Sequence, residues 1–592
     1  MININLMGKM NMQNNKKYPT GRGCVMVASP LRGSQAKRRE GTQFGVVAKV
    51  FLLGLGIFSF GISWSQRDTT KPKAIDITSS FRPVLREAAK INFNATPPSA
   101  DTAKPRLQYD IPNPNLLFAY QPGSLKPLAL QIDSTGNFDN SNYIKVGFGS
   151  LRTPFVQTGF SFGDGNTAGG NIYAKHVSSQ GKREFQDFTN TQVKLSAFYK
   201  TAKNLEWDAS LGMKQDRTYK YGYQPESLSF PNDSLRQRFQ TISARVGVHN
   251  INKTEYGLSY SPEIRIDIFG DHLKNNESNT VVNLPLEKSI GQDFAVKLGV
   301  TFDLTRLSPK DKSAFNNTMW YISPSVLYKS TNIRLQGGIR PSWDNSTFKM
   351  FPNILAEVGT DDQRFTLHAG WTGYIRKTTF QYLASQNQWL WAPSSLLNTW
   401  IEERFAGFKG SVGDHFTYSA KVAFNKLTNQ PLFINDTSLT GDGKSFQVVN
   451  ERRVNVVNLG GELGYNVEEK FSVITSLSFN QYTGLKDNQK AWGLIPLELN
   501  TALRLQIVKD LFLKGDLFAF NGSRYLRNDG SDGKLKGAVD LNAGLEFKIK
   551  KNISLWTQFN NIFNKEYQRW NQYPVYGFNF VGGVIFSFDQ KN

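Results

Sequence analysis

The sequence predicts an all-β fold, a transmembrane antiparallel β-barrel of about 22 strands. Three observations predict it: long runs of apolar–polar alternation, connections that alternate between short and long, and an export leader. The composition agrees. Among 592 residues there are 43 Phe, 22 Tyr and 50 Gly, with aromatics at 13%. Such side chains favour pleated, half-buried surfaces over long helices.

The alternation is explicit. Phe294, Val296, Leu298, Val300, Phe302 and Leu304 alternate with Lys297, Thr301 and Asp303. Ile495, Leu497, Leu499, Leu503, Leu505 and Ile507 alternate with Glu498, Asn500, Arg504 and Gln506. A period of two means a strand with one apolar and one polar face. These runs exceed the usual 5–6 residues of a soluble strand. They match the ~9–11 residues of a tilted strand crossing a bilayer. Strand starts fall near 143, 154, 171, 190, 205, 238, 256, 279, 293, 318, 333, 350, 365, 398, 416, 455, 471, 495, 511, 535, 553 and 576.

Beyond the first two hairpins the connections alternate in length. Short ones fall at 201–204, 330–332, 468–470, 509–510 and 550–552; long ones fall at 215–237, 379–397, 428–454, 482–494, 521–534 and 564–575. Short turns on one side and long loops on the other characterise outer-membrane barrels. An even strand count places both barrel ends on the short-turn, periplasmic side.

Three segments are expected. Residues 1–65 form a leader and signal peptide: nine Lys/Arg and one acid, Glu40, precede the uncharged run Val50–Ser65, which ends in Ser63-Trp64-Ser65. This is the small-x-small pattern that a signal peptidase reads. The run is short for a spanning helix, which needs about 20 residues. Residues 66–142 form a Pro-rich periplasmic or lumenal segment, with Pro97, Pro98, Pro105, Pro112, Pro114, Pro122 and Pro127. Residues 143–588 form the barrel.

Composition also excludes functions. The single cysteine, Cys24, rules out a disulfide framework. His176, His249, His272, His368 and His415 are scattered without metal-ligand spacing. No metal, no cofactor and no catalytic residues are expected, so the chain reads as no enzyme. Asp101, Asp361-Asp362 and Glu402-Glu403 read as turn and rim carboxylates. The net charge of +22 comes with no basic stripe or motif for nucleic acid; cationic loops near anionic surface lipid account for it. The lumen face mixes signs, with Lys297, Arg265, Arg504, Lys536 and Lys548 against Asp303, Glu263, Glu498, Asp540 and Glu546. A mixed wall argues against a simple charge filter.

Two groups of residues stand out. Tyr576, Phe578, Phe580, Val584, Phe586 and Phe588 share one face of the barrel-closing strand, with Asn579, Val581, Gly583 and Ser587 on the other. Tyr382, Trp389, Leu390, Trp391 and Trp400 make an apolar loop on the outward side, a candidate for ligand or partner contact. A loop folding back over the mouth, or an interfacial aromatic girdle, is the plainer reading of the same residues.

The stretch Asn561-Ile562-Phe563-Asn564-x-x-Tyr567, followed by Tyr573-Pro574, Gly577, Gly583 and Phe586-Ser587-Phe588, resembles the closing hairpin of TonB-dependent receptors. The resemblance covers about 40 residues. It implies a 22-strand barrel, in which large lumens are plugged. Ala74-Ile75-Asp76-Ile77-Thr78 faintly resembles that family's coupling box. The stretch 66–142 has no βαβ pattern and is short for the family's plug domain. With Ile77-Thr78-Ser79-Ser80-Phe81-Arg82-Pro83-Val84-Leu85 it resembles the plug-less receptor-like barrels of Bacteroidetes.

The expected location is the cell outer membrane, with outer-membrane lipid, the barrel-assembly machinery and an envelope protein as partners. The expected function is solute transport or binding across that membrane. The alternative is a non-transporting accessory barrel in an outer-membrane assembly or secretion complex.

Overall fold

Alternating side chains can satisfy lipid on one face and water on the other only if the sheet closes on itself. Lipid cannot pair a free backbone edge. The computed structural model describes residues 141–589 except 363, 437–440 and 469. Cys24, the expected leader and nearly all of the Pro-rich segment lie outside the described residues.

The barrel has 22 antiparallel strands. In chain order they are β1 (Ser141–Gly149), β2 (Thr153–Gly163), β3 (Ala168–Ser179), β4 (Phe188–Lys200), β5 (Leu205–Tyr219), β6 (Arg236–Asn250) and β7 (Leu258–Tyr260 with Glu263–Asp271). Next come β8 (Asn276–Ile290), β9 (Phe294–Ser308), β10 (Phe315–Lys329), β11 (Ile333–Asp344), β12 (Thr347–Gly359), β13 (Phe365–Arg376), β14 (Thr399–Val412) and β15 (Phe416–Asp436). The wall ends with β16 (Ser445–Val467), β17 (Phe471–Thr483), β18 (Leu497–Val508), β19 (Leu511–Phe520), β20 (Ala538–Lys550), β21 (Ile553–Asn560) and β22 (Asn579–Asp589). β7 is interrupted at Ser261-Pro262, where proline offers no N–H to the ladder. Two short helices, α1 (Asn232–Leu235) and α2 (Phe380–Gln386), lie in loops.

The ten connections on the side of the chain ends span two to seven residues. Left-handed residues sit at several of these tips, including Asn204, Gly291, Gly413 and Asp510. The opposite side carries the long loops 220–235, 377–398, 484–496, 521–537 and 561–578.

The outer face is apolar. In β9, Phe294, Val296, Leu298, Phe302 and Leu304 are exposed, whereas Thr301 and Asp303 are buried. Leu286, Leu335, Ile354, Leu367, Val422, Phe424, Leu463, Leu555 and Phe586 continue this belt on other strands. No helix among the described residues is long and apolar enough to cross a membrane. The apolar belt on the outside of a closed sheet is what suits the strands to lipid. The protein is an outer-membrane barrel.

Closure is made by β22, which pairs with β1 from Ser141↔Asp589 to Gly149↔Val581 and with β21 from Ile553↔Phe586 to Asn560↔Asn579. Trp556 clasps the seam from inside: its indole N–H donates to the Val146 carbonyl at 3.1 Å, and Lys145 Nζ lies 3.9 Å from its ring centre. The backbones approach closely here. A Cβ on Gly583 would stand 1.9 Å from the Val146 carbonyl oxygen. Gly583→Val is therefore expected to cost more than ~3 kcal/mol, the upper end of ordinary overpacking. The barrel's unfolding temperature in detergent checks this.

The closing strand begins later than the aromatic pattern suggests. Phe580, Phe586 and Phe588 lie in β22 and face outward, but Tyr576 and Phe578 precede the strand. Tyr576 turns inward, packs edge-on against Phe188 and donates its hydroxyl to the Gln186 carbonyl. The cause is the corner made by the Asn561 motif. Asn561 and Asn564 adopt positive φ, and the Asn561 amide donates to the carbonyls of Lys565 (2.8 Å) and Tyr576 (2.7 Å). The side-chain oxygen of Asn564 accepts from Phe578 N, and Tyr567 anchors on buried Asp540 at 2.8 Å. This corner holds 561–578 as a loop, and pairing starts only at Asn579.

Candidate functional site

On the long-loop side, apolar side chains from strands far apart around the wall meet in one cluster. It contains Phe239 of β6, Phe269 of β7, Leu307 of β9, Phe433 of β15 and Phe446 of β16. Loop 377–398 adds Phe380, Leu383, Trp389, Leu390 and Leu396, and loop 561–578 adds Trp570 and Tyr573. β6 and β16 stand ten strands apart in a 22-strand wall, nearly opposite each other, so this cluster forms a lid across the mouth.

The lid is anchored element by element. Thr379 caps α2, its hydroxyl oxygen accepting from Tyr382 N at 3.0 Å. The carboxylate of Glu277, at the upper end of β8, accepts from Phe380 N (2.5 Å) and Gln381 N (3.0 Å). Phe380 then stands edge-on to Phe239 and Phe269, with ring centres 5.9 and 5.2 Å away. Lys377, just before α2, donates to the Asn317 carbonyl at 2.5 Å and lies 3.7 Å from Asp303.

The far end of the same loop joins β16. Trp391 N donates to the Phe446 carbonyl and Phe446 N to the Trp389 carbonyl, at 2.9 and 3.0 Å. Trp389 stacks on Tyr573 at 3.7 Å, with an interplanar angle of 22°. Its indole N–H donates to the Tyr219 carbonyl. Tyr221 stands edge-on to both rings, and the Tyr573 hydroxyl donates to the Lys444 carbonyl. Loop 484–496 is tied in through Arg569, which donates to the Gly493 carbonyl at 2.9 Å.

Four predicted loop residues thus have defined places. Trp389 is in the lid core, and Tyr382 packs against it. Trp391 lies under Lys220, whose Nζ is 3.6 Å from the ring centre. Trp400 is not in the loop: it belongs to β14, and its indole N–H donates to Asp344 at 2.6 Å. Sequence reasoning missed the wall partners Phe239, Phe269, Leu307, Phe433 and Phe446. Their signal is apolar residues at inward positions near strand ends, where the lower lumen wall is polar.

The wall below mixes charges and pairs them. Arg245 binds Asp208 and, at 2.9 Å, Glu263; Arg265 binds Asp267 at 3.0 Å; Lys297 lies 3.4 Å from Glu287. Lys409 meets Glu357 at 2.9 Å and Lys421 meets Glu403 at 2.6 Å. Lys536 is off this wall, exposed in loop 521–537. No group of three or more His, Cys, Asp or Glu suited to a metal ion occurs among the described residues.

Lys220 gives the lid a pH dependence. Burial, reinforced by nearby Lys444, brings its ammonium down to about 7 from the ordinary 10.5, against the pull of Asp271, Asp442 and Asp436. An opened lid returns it to water and to its ordinary value. Between about 7 and 10.5 the open form therefore binds more protons, so closure strengthens as pH rises through this window. Below about 7 the cost of burying the charge is fully present. Conductance through the barrel is expected to be higher at pH 6 than at pH 9, with the difference reduced in Lys220→Met. A flat pH profile in the unaltered protein contradicts this.

No family model matches the sequence. No curated protein matches it either. Solved structures do, at low identity in the following cases. The FrpB iron transporter from Neisseria meningitidis aligns at a TM-score of 0.57 and 10% identity, over 76% of this chain and 82% of that one. The copper transporter OprC aligns at 0.57 and 12%, over 76% and 83%. The ferric enterobactin receptor PfeA from Pseudomonas aeruginosa aligns at 0.56 and 12%, over 76% and 81%. These neighbours are TonB-dependent receptors, and the described chain shares their barrel fold.

Proposed function

We propose that this protein is a receptor-type transporter that binds a solute at the cell surface and passes it across the outer membrane. It is of the plug-less type found in Bacteroidetes, is inserted by the barrel-assembly machinery, and works beside an envelope partner. The observation that carries the reading is the lid: one packed cluster joins loops from opposite walls above a polar, charge-paired lumen. A barrel serving only as a scaffold has no use for such a gate. Tyr382, Trp389 and Trp391 form the contact loop that an arriving solute displaces, and Trp400 supports its base.

The test is purification in mild detergent followed by planar-bilayer recording. The expected result is a small basal conductance that candidate solutes alter, including iron and copper chelates. A barrel that is silent to all solutes and leaves the membrane with a stoichiometric envelope protein is an accessory barrel, and the proposal fails.

A further inference from the structure

The outer face of β14–β16 carries a cationic cluster just above the apolar belt. Pairing rows across the three strands climb from Ala406–Val422–Leu459 to Arg404–Phe424–Val457, then Glu402–Lys426–Asn455, then Trp400–Thr428–Arg453. Val422, Phe424 and Leu459 are exposed on the lipid side. Successive rows on one face are about 7 Å apart, so Lys426 and Arg453 stand one and two rows above Phe424. That is the height of lipid headgroups.

The cluster is held in shape. Glu451 is fully buried, and its carboxylate accepts the backbone N–H groups of Lys486 (2.7 Å), Asp487 (3.2 Å) and Asn488 (2.8 Å). This pins loop 484–496 so that Lys486 comes beside Arg453. Lys349 of β12 closes the other side, 3.4 Å from Glu402. Together with Trp400 these side chains line a cavity of about 500 Å³.

Charge is unbalanced there. Of the five lining cations, Lys349 pairs with Glu402 and Arg452 pairs with Asp487. Lys426, Arg453 and Lys486 have no side-chain partner among the described residues. Three such cations at headgroup height, beside an indole suited to a wet–apolar boundary, match an anionic lipid head. A soluble anion gains nothing from the apolar belt below.

We propose that this cluster binds the phosphate of an outer-leaflet glycolipid, with Lys426, Arg453 and Lys486 on the phosphate and Trp400 against the sugar. The site goes beyond the transport reading and stands without it.

The test uses the full chain, delipidated in detergent, with phosphorylated lipid A, dephosphorylated lipid A and inorganic phosphate as separate probes. Retained ligand is read by native mass spectrometry. The variant is K426Q/R453Q/K486Q. The control, K534Q/K536Q/K565Q, removes equal charge from other long loops. At least a tenfold loss of phosphorylated lipid A is expected in the variant, with no loss in the control. Dephosphorylated lipid A should bind weakly to all three proteins. The proposal is overturned if the variant retains the phosphorylated lipid, if the dephosphorylated lipid binds equally, or if inorganic phosphate alone binds as tightly. If the variant fails to show the mobility shift of a folded barrel, a salt titration of the unaltered protein decides. Retention of the phosphorylated lipid must fall with ionic strength, and a flat response overturns the site.

Discussion

Removing residues 579–592 abolishes barrel assembly. β22 is paired along its length with β1 on one side and β21 on the other. Its loss leaves two facing edges whose N–H and C=O groups have no partner in hydrocarbon, at several kcal/mol for each unpaired group. The sum exceeds the 5–15 kcal/mol by which domains are ordinarily stable. The loss is therefore all-or-none, with no weakened intermediate. The same deletion strips Val581 and Ile585 from the cluster around Phe155, Val177 and Trp556. The expected observation is no heat-modifiable species in the outer membrane and degradation in the periplasm. A folded, membrane-inserted truncation contradicts the account of closure.

Replacing 380–396 by a short Gly–Ser linker opens the mouth. The replacement removes Phe380, Leu383, Trp389, Leu390 and Leu396 from the lid core. Each buried side chain of this size contributes about 2 kcal/mol. The intact cluster is therefore worth more than the ~8 kcal/mol of a micromolar ligand. Two consequences follow. Spontaneous opening of the whole lid is rare, and a bound solute frees one loop at a time. The deletion variant should still fold, because the paired wall is untouched. It is expected to show several-fold higher single-channel conductance and sensitivity to large antibiotics. Unchanged conductance in a correctly folded variant means that the lid is not the barrier.

The wall was legible because bilayer and lumen impose a strict period of two along each strand. β9 and β18 could be drawn from Phe294–Leu304 and Leu497–Ile507 alone. The upper part of β16 was not legible. Its start was expected near 455 but lies at Ser445, because residues above the belt no longer need outward apolar side chains. Trp400 was grouped with the aromatics of the loop although the strand start near 398 already placed it in β14, which begins at Thr399. The lid was half legible. The aromatics of 382–391 announced a loop that buries apolar surface. Their partners Phe239, Phe269 and Phe433 come from strands up to 194 residues apart in the chain, and nothing local in the sequence joins them. α2 was missed because its stability comes from Thr379 and the distant Glu277.

The central claim is that the long loops face the cell exterior and fold into a closed lid, and single-cysteine labelling of intact cells tests it most directly. In a Cys24→Ser background the chain has no other cysteine. Three sites are compared with a membrane-impermeant maleimide: Leu390→Cys in the lid core, Lys536→Cys in exposed loop 521–537, and Lys203→Cys in the short turn between β4 and β5. Lys536→Cys is expected to label rapidly, Leu390→Cys at least a hundredfold more slowly, and Lys203→Cys only after permeabilisation. Equal labelling of Leu390→Cys and Lys536→Cys contradicts the closed lid, and labelling of Lys203→Cys in intact cells contradicts the orientation of the barrel.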